Sequence, residues 1–240
     1  MRHRPLPLLV SLCLAFAAGP VLAQQNVDKV FGGITAEAGK EYGSLSSVNG
    51  GITIREGAVV RQAETVNGGI TIEANARVGD AETVNGGIRL GDGATARDLE
   101  AVNGAVKLGA RARVEGDIET VNGAVRTREG AVVDGSVENV NGVVALEGTQ
   151  VGGSVVTTNG DIRLERSTVV GNLRVEKPDR GWWSTSKRKP RVIIGAGSEV
   201  RGNLVFEHEV ELYVHPDAKV GRQEGTAPVM LDDPDAPRED

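Results

Sequence analysis

A phrase built on Asn-Gly returns at nearly constant spacing through most of the chain, and this repeat restricts the fold more than any other feature. Successive asparagines lie 18, 18, 18, 19, 19 and 18 residues apart, and glycine follows each of them. The column consists of Asn49, Asn67, Asn85, Asn103, Asn122, Asn141 and Asn159. A fixed period of this length is typical of solenoids, in which each repeat forms one coil and stacks on the next.

Aliphatic residues follow a shorter period of six inside the repeat. The series that begins at Ile54, Val60 and Val66 continues to Val114. Three intervals of six fill one repeat, which indicates three short strands per coil and parallel ladders about 4.8 Å apart between coils. The sequence therefore predicts an all-β fold, a single-stranded, three-sided parallel β-helix with 18 to 19 residues per coil. We expect it to be right-handed, because crossovers between parallel strands generally are. One bulged residue at a corner would absorb each longer interval.

The composition agrees with a thin, regular core. Aromatic residues make up only 3% of the chain, which is too few for a conventional globular core, whereas glycine occurs 33 times. An antiparallel meander is the alternative, since Asn-Gly is also a strong signal for a hairpin turn. Each repeat would then contain two alternating strands, and segments such as 73–77 and 79–82 lack that alternation. The β-helix is the better interpretation.

In the β-helix, Asn and Gly would form one corner of each coil. Both residues tolerate left-handed backbone angles, which we expect this corner to require. Stacked Asn side chains would hydrogen-bond amide to amide along the axis. We therefore interpret the seven asparagines as a structural corner ladder, with a catalytic role as the weaker alternative.

A column of glutamates lies three residues before the asparagines. It consists of Glu64, Glu82, Glu100, Glu119 and Glu138. Stacked carboxylates repel one another, so this column must be solvated, paired with nearby arginines such as Arg61 and Arg97, or occupied by cations. The acidic nonapeptide pattern of calcium-binding β-rolls is absent, and we expect no metal site.

The two ends of the chain differ from the repeats. Residues 1–23 combine basic residues with an apolar run and a small-residue cleavage site, which predicts a secretory signal peptide cleaved after Ala23. The expected order is a capping segment at 24–47, a β-helix at 48–221 with an inserted loop at 177–190, and a disordered acidic tail at 222–240. The chain would then be exported to the periplasm or the cell surface. Its net negative charge disfavours nucleic acid as a partner.

The inserted loop is the best candidate for a binding site in the sequence. It contains both tryptophans of the chain among several cations, and the candidate residues are Trp182, Trp183, Lys187, Arg188 and Lys189. Adjacent tryptophans could stack on sugars or settle at a lipid interface, while the cations could meet acidic groups. Envelope polysaccharide or a membrane surface is therefore the expected partner of this loop. In the alternative interpretation the tryptophans only cover the last coils.

Nothing in the sequence indicates an enzyme or a cofactor. His208 and His215 are the only histidines beyond the signal peptide, and neither has metal-ligand spacing. Hexapeptide acyltransferases share a three-sided β-helix, but no coenzyme-binding loop is recognisable. The coils are also too short to build the grooves of polysaccharide lyases.

Three phrases of the form Val-x-Gly-x-aliphatic resemble those of bactofilins, at 114–118, 133–137 and 200–204. The Val-Asn-Gly-Gly-Ile phrases are similar to repeats in adhesin-type domains of exported bacterial β-solenoids. Together the resemblance covers roughly residues 44–221, and it specifies a fold more than a function. Bactofilins are polymer-forming proteins of the bacterial cytoplasm, whereas an export signal is predicted for this chain.

Two functions from different classes fit this sequence. The first is a non-enzymatic structural or scaffold protein of the bacterial envelope that assembles into a homo-polymer or oligomer. The second is a surface adhesin or glycan-binding module that uses the loop at 177–190.

Overall fold

The computed structural model describes residues 25–178 and 188–235 as one β-solenoid. Within these ranges there are 28 strands and no helix. No helix capable of crossing a membrane occurs in them. The expected signal peptide lies outside the described residues, as do Trp182, Trp183 and Lys187 of the predicted loop.

One side of every coil is a short strand in an 11-stranded parallel sheet, which we call the first face. Its strands are β2 (Ile34–Ala36), β4 (Ile52–Ile54), β6 (Ile70–Ile72), β8 (Ile88–Leu90), β10 (Val106–Leu108), β13 (Val125–Arg126), β16 (Val143–Glu147), β19 (Asp161–Glu165), β22 (Arg191–Ile194), β25 (Glu211–Val214) and β28 (Val229–Met230). Each strand pairs with those one coil before and after it, as Ile52 does with Ile34 and Ile70.

The other two sides of the coil belong to a 17-stranded parallel sheet that forks. In the first coils one long strand covers both sides; these strands are β1 (Gln25–Phe31), β3 (Glu41–Asn49), β5 (Val59–Asn67), β7 (Arg77–Asn85) and β9 (Thr95–Asn103). After β9 the sheet divides into two branches. The second face continues as β11 (Arg113–Val114), β14 (Val132–Val133), β17 (Gln150–Val151), β20 (Thr168–Val169), β23 (Glu199–Val200) and β26 (Lys219–Val220). The third face continues as β12 (Ile118–Asn122), β15 (Val137–Asn141), β18 (Val155–Thr157), β21 (Leu173–Val175), β24 (Leu204–Phe206) and β27 (Gln223–Gly225).

Each face points two side chains of every coil into the core. In one coil these are Ile52 and Ile54 from the first face, Ala58 and Val60 from the second, and Ala63 and Thr65 from the third. All six are nearly inaccessible to solvent. The same positions are buried in the next coil, and in the preceding coil all but the exposed Lys40 are buried. The prediction of an all-β, three-sided parallel β-helix is confirmed.

One third of the six-residue aliphatic series does not belong to the core. Val66, Val84 and Val102 are 40–42% exposed. The third face begins at Ala63, only three residues after Val60, so the inward positions are Ala63 and Thr65. Side chains alternate along a strand, and this alternation turns the valine that follows Thr65 outward. The short corner before the third face leaves less space inside the coil, and the small inward residues of this face fit that space.

The 19-residue intervals begin with a wider corner between the second and third faces. Ala96 and Leu99 lie three residues apart, whereas their partners Val114 and Ile118 lie four apart. The wider corner persists in later coils and separates the two faces into distinct strands. Further along, one residue fewer between β16 and β17 restores the 18-residue interval.

Both ends of the solenoid extend further than the sequence suggests. The segment at 24–47, expected as a cap, contains β1, β2 and most of β3, and its Tyr42 and Leu45 enter the core. At the other end β27 pairs with β24 and β28 with β25. This places the last strand at Met230, beyond the expected boundary at 221, and residues 231–235 follow it.

Extra residues interrupt the repeat between β21 and β22. Ile162 pairs with Val192, an offset of 30 residues, whereas Val144 and Ile162 one coil earlier are 18 apart. Residues 179–187 of this insertion lie outside the described ranges. The chain leaves and re-enters the solenoid at the corner that carries the asparagines in earlier coils.

Candidate functional site

The corner between the third face and the next first face, which we call the Asn–Gly corner, carries a continuous ladder of side-chain amides. Asn67 Nδ2 donates to Asn49 Oδ1 over 3.0 Å, and the same bond recurs from coil to coil as far as Asn159. The intermediate donors are Asn85, Asn103, Asn122 and Asn141, with distances of 3.0 to 3.1 Å. Because the interior asparagines bond both neighbours, the ladder explains this column as part of the scaffold.

Glycine at the Asn–Gly corner is required by close approach between coils. A Cβ atom on Gly68 would overlap the carbonyl oxygen of Gly50, and each later coil repeats this contact. The same carbonyl of Gly50 accepts a hydrogen bond of 2.8 Å from the buried hydroxyl of Thr65. The corner is therefore packed against its neighbour through backbone atoms, with no room for a side chain.

The left-handed backbone that we expected at the Asn–Gly corner lies mainly elsewhere. None of the seven asparagines has a positive φ. A positive φ recurs instead between the first and second faces, at what we call the left-handed corner. Its positions are Gly39, Gly57, Asn75, Gly93, Arg111, Gly130, Gly148, Arg166 and Gly197. The sequence interpretation was wrong on this point, because the Asn–Gly turn is fixed by stacking rather than by left-handed residues.

The outer surface of the third face carries the glutamate column and, two residues further along each strand, a column of valines; we call it the acidic face. The valines are Val48, Val66, Val84, Val102, Val121 and Val140, each 37–42% exposed. In the strand ladder Glu64 lies beside Glu82, and Glu82 beside Glu100. Two shallow grooves run between the columns, one along coils of β3 to β9 and the other from β9 to β21. The result is a flat, acidic and partly apolar strip.

In the described part of the chain neither of the two arginines expected to neutralise the glutamates pairs with them: Arg61 forms no ion pair, and Arg97 pairs with other carboxylates. Arg97 forms ion pairs with Asp80 and, over 3.1 Å, with Asp98. Gln62 donates a hydrogen bond to Glu64. Among the described residues, Glu82, Glu100, Glu119 and Glu138 have no ion pair with a basic side chain. The negative charge of the acidic face is therefore not compensated within this part of the chain.

The electrostatics of the column reflect this lack of compensation. Partial burial, reinforced by the charges of Glu100 and Glu64, raises the pKa of the Glu82 carboxyl above its ordinary value. Burial first and then neighbouring carboxylates also raise the pKa of Glu100 and that of Glu138. A positively charged surface opposite the column would relieve this repulsion.

Metal binding has no support within residues 25–178 and 188–235. They contain no group of three or more His, Cys, Asp or Glu side chains that could hold a metal ion. His208 Nε2 lies 3.2 Å from the backbone oxygen of Thr158, and His215 Nδ1 accepts a hydrogen bond from the Asp217 amide. Both histidines thus contact the backbone near them.

Only the two ends of the predicted binding loop, residues 177–178 and 188–190, lie in the described part of the chain. Arg188 forms an ion pair of 2.5 Å with Asp161, and Lys189 forms one of 2.9 Å with Glu209. These two cations anchor the returning chain to neighbouring coils. Trp182, Trp183 and Lys187 lie outside the described residues.

The chain matches no protein-family model, no curated protein sequence and no solved structure. What the structure establishes is a parallel β-solenoid with a structural amide ladder and a long acidic face.

Proposed function

We propose that this chain is an exported, non-enzymatic structural protein of the bacterial envelope, a short rod that assembles end to end with copies of itself. The observation that carries the proposal is that the outermost strands at both ends of the solenoid expose apolar side chains. The resemblance to the polymer-forming bactofilins agrees with it.

At the N-terminal end the outermost strand is β1, which pairs with β3 on its inner side. Its Val30 is 60% exposed and its Phe31 is 79% exposed. Strand edges carry backbone donors and acceptors that can pair with another chain, and exposed apolar side chains favour such pairing.

At the C-terminal end the outermost strand of the first face is β28, with Met230 at 60% and Val229 at 41% exposure. The residues after it run back along the side of the rod. The backbone oxygen of Pro234 lies 3.4 Å from Arg191, and Asp235 forms an ion pair of 3.5 Å with Arg163. This tail therefore contacts coils two and three turns before the end.

The two ends differ, so contact between them joins the head of one copy to the tail of the next. Such a contact leaves one end free on each copy, and it generates filaments unless the geometry closes a ring. Addition of β2 of one copy to β28 of another would continue the first face at the ordinary strand spacing.

Light scattering and negative-stain electron microscopy of the exported, processed chain test this proposal. We expect particles whose length grows with protein concentration. Phe31→Asp and Met230→Asp should each shorten them, because a charge at an end edge opposes pairing. Val170→Asp is the matched control, since Val170 is 39% exposed in an inner coil, away from the outermost strands of both ends. A single rod length at every concentration, or equal shortening by the control, would contradict the proposal.

The alternative of a glycan-binding module rests on the sequence of the loop at 177–190. Two of its described cations, Arg188 and Lys189, form ion pairs within the chain. Replacement of Trp182 and Trp183 by alanine distinguishes the two proposals: it should leave assembly unchanged if the chain is a scaffold and abolish binding to a glycan array if it is an adhesin.

A further inference from the structure

A second charged column lies on the first face, at the same level of the rod as the acidic face. Arg89 and Lys107 are the central residues of β8 and β10, Arg126 is the second residue of β13, and the three stack in register. All three are exposed, and in the described part of the chain none forms an ion pair. We call this strip the basic column. Like the glutamates, it places equal charges side by side, which destabilises the isolated chain.

The two columns have the same spacing because the same coils carry both. Each cation follows a glutamate by seven residues: Arg89 follows Glu82, Lys107 follows Glu100, and Arg126 follows Glu119. Each charge is also at the centre of its strand face. Two rods with parallel axes can therefore bring three carboxylates opposite three cations at once, without any change in either rod.

The direction of the strands decides what surrounds these charges. When two identical coils lie side by side with parallel axes, the chains on their facing sides run in opposite directions. Residues that follow a glutamate then lie opposite residues that precede a cation. Two residues after Glu82 comes the exposed Val84, and two residues before Arg89 comes Gly87.

The same match holds in the next coils. The corresponding small residues before Lys107 and Arg126 are Ala105 and Ala124, and neither they nor Gly87 is fully buried. The valine column would thus lie over a strip of glycine and alanine, where short side chains leave space for it. Apolar contact and charge complementarity favour the same alignment.

We propose that the acidic face of one copy docks on the basic column of a second copy, with the two rods parallel and level. This inference rests on the proposed self-assembly and identifies a lateral contact in addition to the end-to-end one. Each docked copy keeps one acidic face or one basic column free, so further copies can add. Because the matched charges cover only three coils, each single contact is weak, and many parallel contacts between filaments give the association its strength.

Charge exchange between the two faces tests the contact. The acid-to-base variant is Glu82→Arg, Glu100→Arg and Glu119→Arg, and the base-to-acid variant is Arg89→Glu, Lys107→Glu and Arg126→Glu. Each variant alone should lose side-by-side association, weakened about tenfold or more at low salt, because like charges then face each other. A mixture of the two variants should recover it. Filament width by electron microscopy and analytical ultracentrifugation are the measurements.

Two milder variants keep the contact testable if the triple variants fail to fold. Glu100→Gln and Lys107→Gln each neutralise one charge, and each should weaken the association to a smaller extent. Arg77→Glu is the matched control, since Arg77 is exposed on the second face, and it should have no effect. Circular dichroism verifies that every variant keeps its strands. Unchanged width in both triple variants, or no recovery on mixing, overturns the proposal.

Variants that disrupt the end contact and variants that disrupt the lateral contact change the filaments in different ways. Phe31→Asp shortens filaments, and it weakens their side-by-side association only as far as a shorter filament makes fewer parallel contacts, whereas the charge variants reduce width but leave length. If the wild-type chain binds polylysine but forms no lateral contact with itself, the acidic face serves a cationic partner and the second-copy proposal is wrong.

Discussion

The Asn–Gly corner and the left-handed corner both depend on glycine, but for different physical reasons. At the first, a side chain would overlap the backbone of the coil before; at the second, the backbone has a positive φ and the space is often open. The sequence reflects this difference. Every coil with the Asn phrase keeps glycine after Asn, whereas the left-handed corner accepts Asn75, Arg111 and Arg166. Contact between coils is thus the stricter requirement, and strain at a single φ can be tolerated.

The largest effect should come from a methyl group at the Asn–Gly corner. In Gly86→Ala the new Cβ would overlap the carbonyl group of Gly68, and backbone on both sides prevents it from moving away. We expect a loss of roughly 3 kcal/mol or more in unfolding free energy. Urea denaturation followed by circular dichroism measures it.

The same substitution at the left-handed corner should cost less. Gly57 has a φ of 67°, and a Cβ there would meet no atom within 4 Å. Gly57→Ala should therefore lose only the conformational term, about 1–2 kcal/mol. Gly57→Asn should lose less, since Asn75 occupies the equivalent position one coil later. If Gly57→Ala destabilises the chain as much as Gly86→Ala, the distinction between the corners fails.

The side chains of the Asn–Gly corner should contribute less than its glycines. Asn85→Ala removes two amide hydrogen bonds, those with Asn67 and Asn103. Because the ladder is exposed, we expect a loss of about 1 kcal/mol in total. Asn159→Ala, at the end of the ladder, removes one such bond and should cost about half as much. Equal losses in the two variants would show that the amide ladder is not the cause.

The smallest expected change in the free energy of unfolding is an increase. Arg111 has a φ of 54°, so Arg111→Gly relieves backbone strain, while the added freedom of the unfolded chain offsets part of the benefit. We expect a net stabilisation of roughly 0.5 kcal/mol. Arg77→Gly, at the first residue of β7, is the control and should destabilise the chain. A loss of stability in Arg111→Gly would mean that its side chain matters more than its φ.

The sequence predicts the coil and its three strands because the residues that stack are the same type in each coil. It could not assign Val66 to the outside, since a six-residue period does not show where a corner shortens the path between faces. It also placed the left-handed backbone at the wrong corner, because Asn-Gly has that conformation in hairpins, whereas here stacking fixes the turn.

The sequence analysis identified only one of the two charged columns. The glutamate column stood out because it precedes the asparagines at constant distance. The basic column has an equally regular position, seven residues after Glu82, Glu100 and Glu119, but mixes Arg and Lys and covers three coils. Aligning every position of the repeat, rather than the most repetitive ones, would have found it. Which faces the two columns occupy required the structure.

The wider corner that begins at Val114 has a consequence for how the chain finds its fold. Ile52-Thr53-Ile54 and Ile70-Thr71-Ile72 are identical, so during folding a strand could pair with either at nearly equal free energy. Coils that all had the same length would allow the chain to slip by one whole turn and leave a turn looped out. A corner that gains a residue, a later one that loses it and the insertion before Arg191 make the coils distinguishable. The irregular coils therefore favour a single register of strand pairing, and this register fixes how many turns the solenoid has.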